Sequence, residues 1–531
     1  MNEEIRRTLL GDQLLSVCNS NKLVTEQQLQ QRMRLFPHIS PSNFMKLCKL
    51  SSTISTEPKW LNLQSKRIVQ IGCGAIGSCM LPLYERHFVF SPKSIIVFDM
   101  REQAIASQRK QYPNIQFIHQ KITKQNYNTI LSQYLRPGDI LLDLAWYIDT
   151  LELLTWCHER DILYLNTAVE TWLEDDCSPD DKECQTLYHR QLVIRSVTDD
   201  WDKNSVTGIL THGANPGWVS HATKIGMRDW VQYLLKRDPQ NETLRAAQQA
   251  ADEKNWPKVA QLLNVQVIHI AERDTQISNI PKQVDEFVNT WSPMGFIEEG
   301  TAPAELGWGT HETLKTNVNH HKEGPKNQVY FDSMGMNTLV KSWVPSGDIV
   351  GMVVRHEEAF SISEYLTVFD GKNRAVYRPT VHYCYFSCPD SIASLYEMQS
   401  NGYAPPKKER VLKDEIISGK DELGVFMLSN KYGGWWIGSI LDNDTAKSLL
   451  PHQSATVTQV ASSVLSALMY LLAHPKEGII HPDHMDPDEA MKYIYPYLGK
   501  FVSFYKEWTP TRIPQQYQDH PDWVIQKLLV K

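Results

Sequence analysis

The sequence has neither an excess of basic residues nor a long uninterrupted apolar run. Its 54 Lys and Arg against 61 Asp and Glu give a net charge of −7 over 531 residues, whereas a nucleic-acid-binding protein normally carries a basic excess or a dense basic stretch. A membrane span needs about 18 consecutive apolar residues. Thr, Gln and Ser interrupt even the most apolar segment, Ala455 to His474. We therefore expect no nucleic-acid partner and no membrane partner.

Cysteine is scarce and scattered. The nine cysteines are odd in number, and the chain begins Met1-Asn2-Glu3-Glu4, without the basic and apolar blocks of a secretory signal. In a chain of this size the pattern predicts reduced thiols in a cytoplasmic protein. Cys384 and Cys388 stand four apart, but no second close Cys or His pair completes a zinc site. We expect no metal, because the pair His481 and His484 precedes a helix-capping pattern.

Hydrophobic residues make up 42% of the chain, enough for a large core in two or more domains. Short apolar runs alternate with helical patterns between residues 66 and 215, which indicates βαβ units and a parallel sheet. The predicted strands are Arg67–Ile71, Ser94–Asp99, Ile115–Ile118, Ile140–Ala145 and Leu163–Leu165. We therefore predict an α/β fold with a Rossmann-type doubly wound parallel sheet.

The alternation stops after about residue 215. A long helix over Trp218–Lys236 is followed by strand-like runs without intervening helices, which predicts a second, α+β domain with a largely antiparallel sheet. The predicted boundaries are an N-terminal extension over 1–60, a dinucleotide-binding domain over 61–217, a substrate and dimerisation domain over 218–445, and a C-terminal helical segment over 446–531 that packs back on the Rossmann domain.

Gly72-Cys73-Gly74-Ala75-Ile76-Gly77 fits the G-x-G-x-x-G motif. It follows a hydrophobic strand and opens a helix, and a second strand ends in Asp99, as dinucleotide-binding folds require. The glycines allow a tight turn, a close approach of the backbone to a pyrophosphate, and packing of helix on strand. Asp99 would accept hydrogen bonds from a ribose diol and repel a 2′-phosphate, which favours NAD over NADP. A glycine-rich turn without a ligand is the alternative.

A second loop, Thr211 to Gly217, contains Gly-Ala-Asn-Pro-Gly and precedes a predicted helix. It is either a hinge between domains or a loop that presents Asn215 to the nicotinamide end of a cleft.

Several segments together resemble the bacterial homospermidine synthases, within the saccharopine-dehydrogenase-like group. The resemblance spans roughly residues 66 to 500, and the first 60 residues have no counterpart in it. The segments are the glycine loop, Asn166 to Trp172, His212 to Gly217, Trp291 to Phe296, Pro303 to Glu312 and Gly351 to His356.

The resemblance implies an NAD-dependent enzyme that joins two putrescine units, or putrescine and another polyamine, and releases ammonia. NAD would be oxidant and reductant within one cycle, and the protein would be a homodimer. The residues that it assigns to catalysis are Trp291, Glu272, Glu299, His356 and Asn215, and those assigned to substrate binding are Glu170 and Asp421. The residues predicted to bind the cofactor are Gly72, Gly74, Ala75, Ile76, Gly77, Asp99, Ala145, Thr167, Asn215 and Pro216.

The chemistry of a diamine agrees with these assignments. Two ammonium groups need carboxylates, and the reacting amine must lose a proton before it can lose a hydride. The iminium that forms is stabilised by an indole face such as that of Trp291. Each residue also has an ordinary structural interpretation: a surface pair of Glu272 with Arg273, a core Trp291 and a hydrogen-bonded core His356.

Two other functions stay open at this point. One is a saccharopine-dehydrogenase-like, NAD-dependent oxidoreductase of amines or amino acids, which would need Arg or Lys in its cleft to bind a carboxylate. The other is a dinucleotide-sensing regulator without turnover, for which we find no effector motif.

Overall fold

The computed structural model describes residues 61–63, 66–178, 180–314 and 317–530, and the predicted N-terminal extension therefore lies outside the described residues. The first domain is built on a seven-stranded sheet in which every pairing is parallel. From edge to edge its strands are Ile479–Ile480, Gly208–Ile209, Leu163–Asn166, Ile140–Asp143, Ile68–Ile71, Ile95–Asp99 and Gln116–His119. The first strand of this sheet in chain order, Ile68–Ile71, lies inside the sheet with later strands on both sides, the order of a Rossmann fold.

The central strands are buried along their whole length because helices cover both faces of the sheet. This burial explains why the strands read as continuous apolar runs. The helices of this domain are Ala75–His87, Glu102–Gln111, Tyr127–Tyr134, Thr150–His158 and Leu187–Thr198. The predicted α/β class is confirmed.

The second domain is built on a ten-stranded mixed sheet. Its main path runs through Val318–His320, Gln328–Met334, Pro303–Gly307, Thr380–Phe386, Val265–Asp274, Lys420–Ser429, Gly433–Asp442 and Lys500–Tyr505. Off this path, Gly347–Met352 pairs with Thr380–Phe386, and Leu339–Val344 pairs with Gly347–Met352. Thr380–Phe386 and Val265–Asp274 run parallel, whereas the other described pairings of this sheet are antiparallel. The second sheet is thus largely antiparallel, as predicted.

Smaller elements complete the described chain. The two-stranded pairs are Leu61–Asn62 with Phe88–Val89, Ile277–Ser278 with Ile416–Ser418, Glu286–Asn289 with Lys408–Val411, and Val368–Phe369 with Ala375–Tyr377. The remaining α-helices are Trp218–Arg237, Glu242–Asp252, Trp256–Leu262, Pro293–Thr301, Glu357–Tyr365, Pro389–Ser400, Asn443–Leu449, Ala455–Ala473 and Pro487–Ile494. The helix Pro487–Ile494 starts at the predicted cap, where Asp486 accepts hydrogen bonds from the backbone of Asp488 and Glu489.

The C-terminal segment connects the two domains. Apolar residues of its long helix, Ala455–Ala473, belong to the same buried cluster as those of the Rossmann helix Ala75–His87. This long helix has the length and composition of a membrane span, but 89% of it is buried inside the fold, as in a core helix. After it, Ile479–Ile480 joins the Rossmann sheet and Lys500–Tyr505 joins the second sheet. The segment is therefore not only helical, since it adds one strand to each sheet.

One expectation about the cysteines is wrong. Cys177 and Cys184 form a disulfide, whereas Cys73, Cys79, Cys157, Cys384 and Cys388 are free and buried. The count and spread of cysteines carried no information about this pair, because the two residues, seven positions apart in sequence, are brought together by the conformation of an irregular loop.

Candidate active site

The glycine loop (residues 72–77) has the tight geometry that the motif requires. Gly72 adopts φ +96°, and a Cβ on it would lie 2.7 Å from the carbonyl oxygen of Leu144. A Cβ on Gly77 would lie 2.2 Å from the carbonyl oxygen of Gly72, so neither position accepts a side chain. The buried Gln70 closes the loop, since its Nε2 donates to the carbonyl oxygens of Gly72 at 2.7 Å and of Gly77 at 3.1 Å.

The loop and the following helix fit a dinucleotide. No side chain of the described residues caps the helix at Gly74, and its first turn, Ala75-Ile76-Gly77, has no acid, so the positive helix end is available to a phosphate. Asp99 is buried at the end of its strand. It accepts hydrogen bonds at 2.7 Å from the backbone N–H of Cys73 and from that of Arg101, which holds its carboxylate beside the loop where a ribose diol would lie.

A cleft between the two domains collects many of the residues predicted for the site. It contains Thr167, Glu170, Asn215, Pro216, Glu299 and His356, together with the unpredicted residues Trp146, Arg190, Glu298, Arg355 and Glu357. Several of these positions follow the carboxyl ends of parallel strands, where open α/β sheets bind their ligands. Ala145 lies at the end of the central strand Ile140–Asp143, where it leads into Trp146.

His356 is held between two acids. Its Nε2 lies 3.0 Å from Glu299 and its Nδ1 lies 3.3 Å from Glu358, while the side-chain amide of Asn215 is 3.4 Å from Nδ1. Burial alone would lower the pKa of His356, but the charges of Glu358 and Glu299 outweigh it and raise the pKa well above the usual value. The two acids thus favour the imidazolium form of His356, which can donate a proton.

Glu272 is a buried acid with a weakened acidity. It lies in the strand Val265–Asp274 and accepts a hydrogen bond of 2.5 Å from the hydroxyl of Tyr383 on the neighbouring strand. Burial raises its pKa to about 8, although the hydrogen bond from Tyr383 lowers it. The ring of Tyr383 also lies 4.3 Å from that of His356, centroid to centroid. Tyr383 therefore contacts both Glu272 and His356.

Two further acids lie beside Glu272. Asp421 is directly opposite Asp274 in the antiparallel pairing, and Asp274 is two residues from Glu272 on the same face of the sheet. Burial, followed by the charges of Glu272 and Asp274, raises the pKa of Asp421 well above the usual value. Its Oδ2 accepts from Thr456 at 2.6 Å, and its Oδ1 has no hydrogen-bond partner among the described residues. The three buried carboxyl groups lie together on one face of the sheet. We refer to this cluster as the acid pocket, because such a group of acids favours a cation.

Trp291 bridges the two domains. Its side chain packs against the apolar core of the second domain and against the Rossmann cluster that contains Cys73 and Leu144. A Cβ on Gly295 would lie 2.3 Å from the indole of Trp146 and 3.0 Å from that of Trp291, so Gly295 leaves room for both rings. The indole N–H of Trp291 donates to the hydroxyl of Tyr385 at 3.0 Å. The indole thus lies between the glycine loop and the acid pocket.

The cations of the cleft are already paired. Arg190 and Arg355 both contact the Oε1 of Glu298, at 3.0 Å and 2.5 Å, and Arg190 lies 4.0 Å from Glu170. Burial, reinforced by Glu298, raises the pKa of Glu170 well above the usual value in spite of Arg190. Burial therefore favours the uncharged form of the Glu170 carboxyl group.

The structure also brings in residues that the sequence did not reveal. They are Trp146, Asp274, Tyr383, Tyr385, Arg190, Glu298, Arg355, Glu357 and Glu358. The position of Trp146 just after a predicted strand of the parallel sheet was a usable signal. The others come together only through sheet register and domain packing.

Comparison with known proteins identifies the family. The chain matches the saccharopine dehydrogenase NADP binding domain over residues 68–209 and the saccharopine dehydrogenase C-terminal domain over residues 213–503. It is 36% identical to homospermidine synthase of Mesorhizobium japonicum over 479 residues, which cover 87% of this chain and 96% of that protein. It is 35% identical to homospermidine synthase of Blastochloris viridis over 478 residues, which cover 87% and 97%.

The chain belongs to the homospermidine synthase family. A solved structure agrees: that of homospermidine synthase from Legionella pneumophila in complex with NAD is 32% identical, has a TM-score of 0.77, and matches 89% of this chain and 99% of its own. The resemblance found in the sequence is confirmed, and so is the prediction that the protein is an NAD-dependent enzyme of the homospermidine synthase type.

Proposed function

We propose that this homospermidine synthase joins two putrescine units to homospermidine, or putrescine to another polyamine, and releases one ammonia per product. The observation that carries the proposal is the convergence of Glu272, Trp291 and His356 on two stacked tyrosines, Tyr383 and Tyr385. NAD is the cofactor, in line with the geometry of the glycine loop, the Asp99 carboxylate and the Legionella relative. When bound, it supplies a hydride acceptor that becomes the hydride donor later in the cycle.

The acid pocket recognises the diamine. Putrescine carries two ammonium groups at neutral pH, and Glu272, Asp274 and Asp421 are buried on one face of the second sheet. Because the pKa of each is raised in the free protein, a bound ammonium stabilises their ionised forms and completes the site. Glu170 lines the Rossmann side of the cleft, and we assign it to an ammonium of the second amine.

Glu272, oriented by Tyr383, removes the proton that blocks oxidation. An ammonium carbon cannot lose a hydride, so the reacting amine must first be neutral. Glu272 accepts this proton, and its pKa of about 8 lies close to neutrality, where a general base is effective. The hydroxyl of Tyr383 keeps the carboxylate oriented.

Trp291 stabilises the cation that oxidation creates. Loss of the hydride leaves an iminium, and a nucleophilic side chain in its place would trap it. An indole face attracts the cation without reacting, and such an attraction contributes up to about 2 kcal/mol in a desolvated site.

His356 then serves the exchange of amines. The second amine adds to the iminium carbon, and the original nitrogen must be protonated before it leaves as ammonia. The imidazolium of His356, charged by Glu299 and Glu358, donates that proton. The nitrogen of the second amine gives up a proton in turn, which restores the imidazolium of His356. The cofactor, when bound, would supply the hydride that converts the new iminium into the secondary amine of the product, so two putrescines give one homospermidine and one ammonia.

The saccharopine-dehydrogenase-like alternative needs free cations in the cleft to bind a carboxylate. Arg190 and Arg355 are present, but Glu298 pairs with both. An amino-acid substrate would have to break that network.

Product analysis tests the proposal. We expect putrescine and catalytic NAD to give homospermidine and ammonia in equal amounts by mass spectrometry, with no net NADH at 340 nm. Steady NADH accumulation would instead support the oxidoreductase, and NAD binding without turnover of any diamine would support a sensing role.

We further propose that the protein is a homodimer, as the family resemblance implies, and that it is cytoplasmic, as predicted from the sequence. Light scattering of the purified protein measures the oligomeric state, and fractionation of the producing cell measures the location.

A further inference from the structure

Two parallel strands of the second domain end side by side against the Rossmann domain. Glu286–Asn289 pairs with Lys408–Val411, with Asn289 opposite Val411, and the backbone N–H of Leu412 donates to the carbonyl oxygen of Asn289 at 2.8 Å. The pairing thus continues past the strands. Trp291 follows Asn289 by two residues, and Lys413 follows Val411 by two residues. The ends of the two paired strands therefore place an indole and an ammonium side by side.

The ammonium of Lys413 reaches the helix that follows the glycine loop. Its Nζ lies 3.4 Å from the hydroxyl of Ser78, and the backbone N–H of Ser78 donates to the carbonyl oxygen of Gly74 at 3.0 Å. Burial, together with Asp99, raises the pKa of Cys73 to about 12, and the charge of Lys413 acts against that shift. The positive charge of Lys413 therefore acts electrostatically on a residue of the glycine loop.

This charge has no carboxylate partner. Among the ion pairs formed within the described chain, none involves Lys413, and the neighbouring Glu415 contacts Arg410 and the backbone of Lys413 instead. The other cation beside the loop, Arg101, lies 3.5 Å from Asp99. Lys413 is half-buried, and an anion bound at the loop would supply the counter-charge that its ammonium lacks.

We propose that Lys413 is a cofactor-binding residue, whose ammonium neutralises the pyrophosphate held by the glycine loop. The proposal rests on the function proposed above, in which NAD occupies the Rossmann domain. It adds a contact from the second domain to a site otherwise made of Rossmann residues. Trp291 and Lys413 stand at equivalent positions after the two paired strands. The same strand pair therefore positions the indole at the nicotinamide end of the cofactor and the ammonium at its phosphates.

Nucleotide titration of the full chain, freed of nucleotide, tests the proposal by calorimetry. We expect Lys413→Met to raise the Kd for NAD and for ADP-ribose by about tenfold, or about 1.4 kcal/mol, and to leave the Kd for adenosine unchanged. Lys413→Arg should stay within about threefold of the wild type, because it keeps the charge. The dependence of the NAD Kd on salt should also weaken in Lys413→Met.

Lys408→Met is the matched control, since Lys408 is exposed on the same strand and should bind NAD as the wild type does. Equal NAD affinities of Lys413→Met and Lys408→Met would overturn the assignment of Lys413. Equal losses for adenosine and ADP-ribose, or a lowered melting temperature of the free Lys413→Met protein, would also overturn it, because the residue would then be structural. Failure of the wild type itself to bind NAD would overturn the proposed function.

Discussion

Replacement of Trp291 tests the central claim that an indole face stabilises the iminium. Trp291→Leu removes the aromatic face and the hydrogen bond to Tyr385, whereas Trp291→Phe keeps a weaker face and loses only the hydrogen bond. A desolvated cation–π contact contributes up to about 2 kcal/mol, and a contact made only in the transition state changes the rate tenfold per about 1.36 kcal/mol. We therefore expect kcat to fall about 30-fold in Trp291→Leu and about threefold to tenfold in Trp291→Phe.

The assay is the rate of homospermidine formation at saturating putrescine, measured by quenched-flow mass spectrometry and compared with the Kd for NAD. Trp308→Phe is the control, because Trp308 is also half-buried but packs on a separate apolar cluster of the second domain. A Trp291→Leu enzyme with unchanged kcat and a raised KM would refute the reasoning, since the indole would then bind substrate and transition state equally. Loss of NAD binding would show that the indole supports the cofactor instead.

Three further predictions concern other parts of the molecule. Glu272 must be ionised to act as the base, so kcat/KM for putrescine should rise as the pH increases towards about 8. Glu272→Gln should remove this pH dependence and lower kcat at least about 100-fold. A pH profile of kcat/KM that is unchanged in the variant would contradict this role. Because the folded pKa of Glu272 is raised, its carboxyl binds a proton that the unfolded chain has released, so its contribution to the free energy of unfolding declines as the pH rises from about 4.5 to 8. Asp99→Ser should reduce the preference for NAD over NADP by at least about tenfold, read from the two Kd values, and an unchanged ratio would exclude Asp99 as the selector. Replacing Cys177 and Cys184 by Ser should lower the free energy of unfolding by about 2–3 kcal/mol in urea titrations without reductant, and should change nothing if the thiols are reduced in solution.

The Rossmann domain was predictable because its information is local. Strands such as Ile140–Asp143 are buried on both faces, so their sequences are apolar throughout. The glycine loop and Asp99 are linked by one βαβ unit, and a fixed spacing connects them. Both features can be recognised from a short stretch of sequence, without knowing how distant segments of the chain pack.

The acid pocket was only partly predictable. Glu272 and Asp421 came from the family resemblance, whereas Asp274 had no sequence signal of its own. It becomes a member of the pocket because the antiparallel register places it opposite Asp421, almost 150 residues later. Tyr383 reaches Glu272 through the parallel neighbour strand, 111 residues away in sequence. Register between distant strands is set by packing of the whole sheet, which a single sequence does not display.

The chemistry of internal redox gives the domain arrangement a reason. Electrons removed from the first amine must return to the product, so a reduced cofactor that left in mid-cycle would strand an iminium in the cleft. Trp291 packs on the apolar clusters of both domains, and His356 on the second domain contacts Asn215 on the connecting loop. In the proposed mechanism, opening the cleft to exchange NAD would break these contacts at the moment when they hold the reacting cation. Under that mechanism, retention of the cofactor and stabilisation of the iminium depend on the same closed interface.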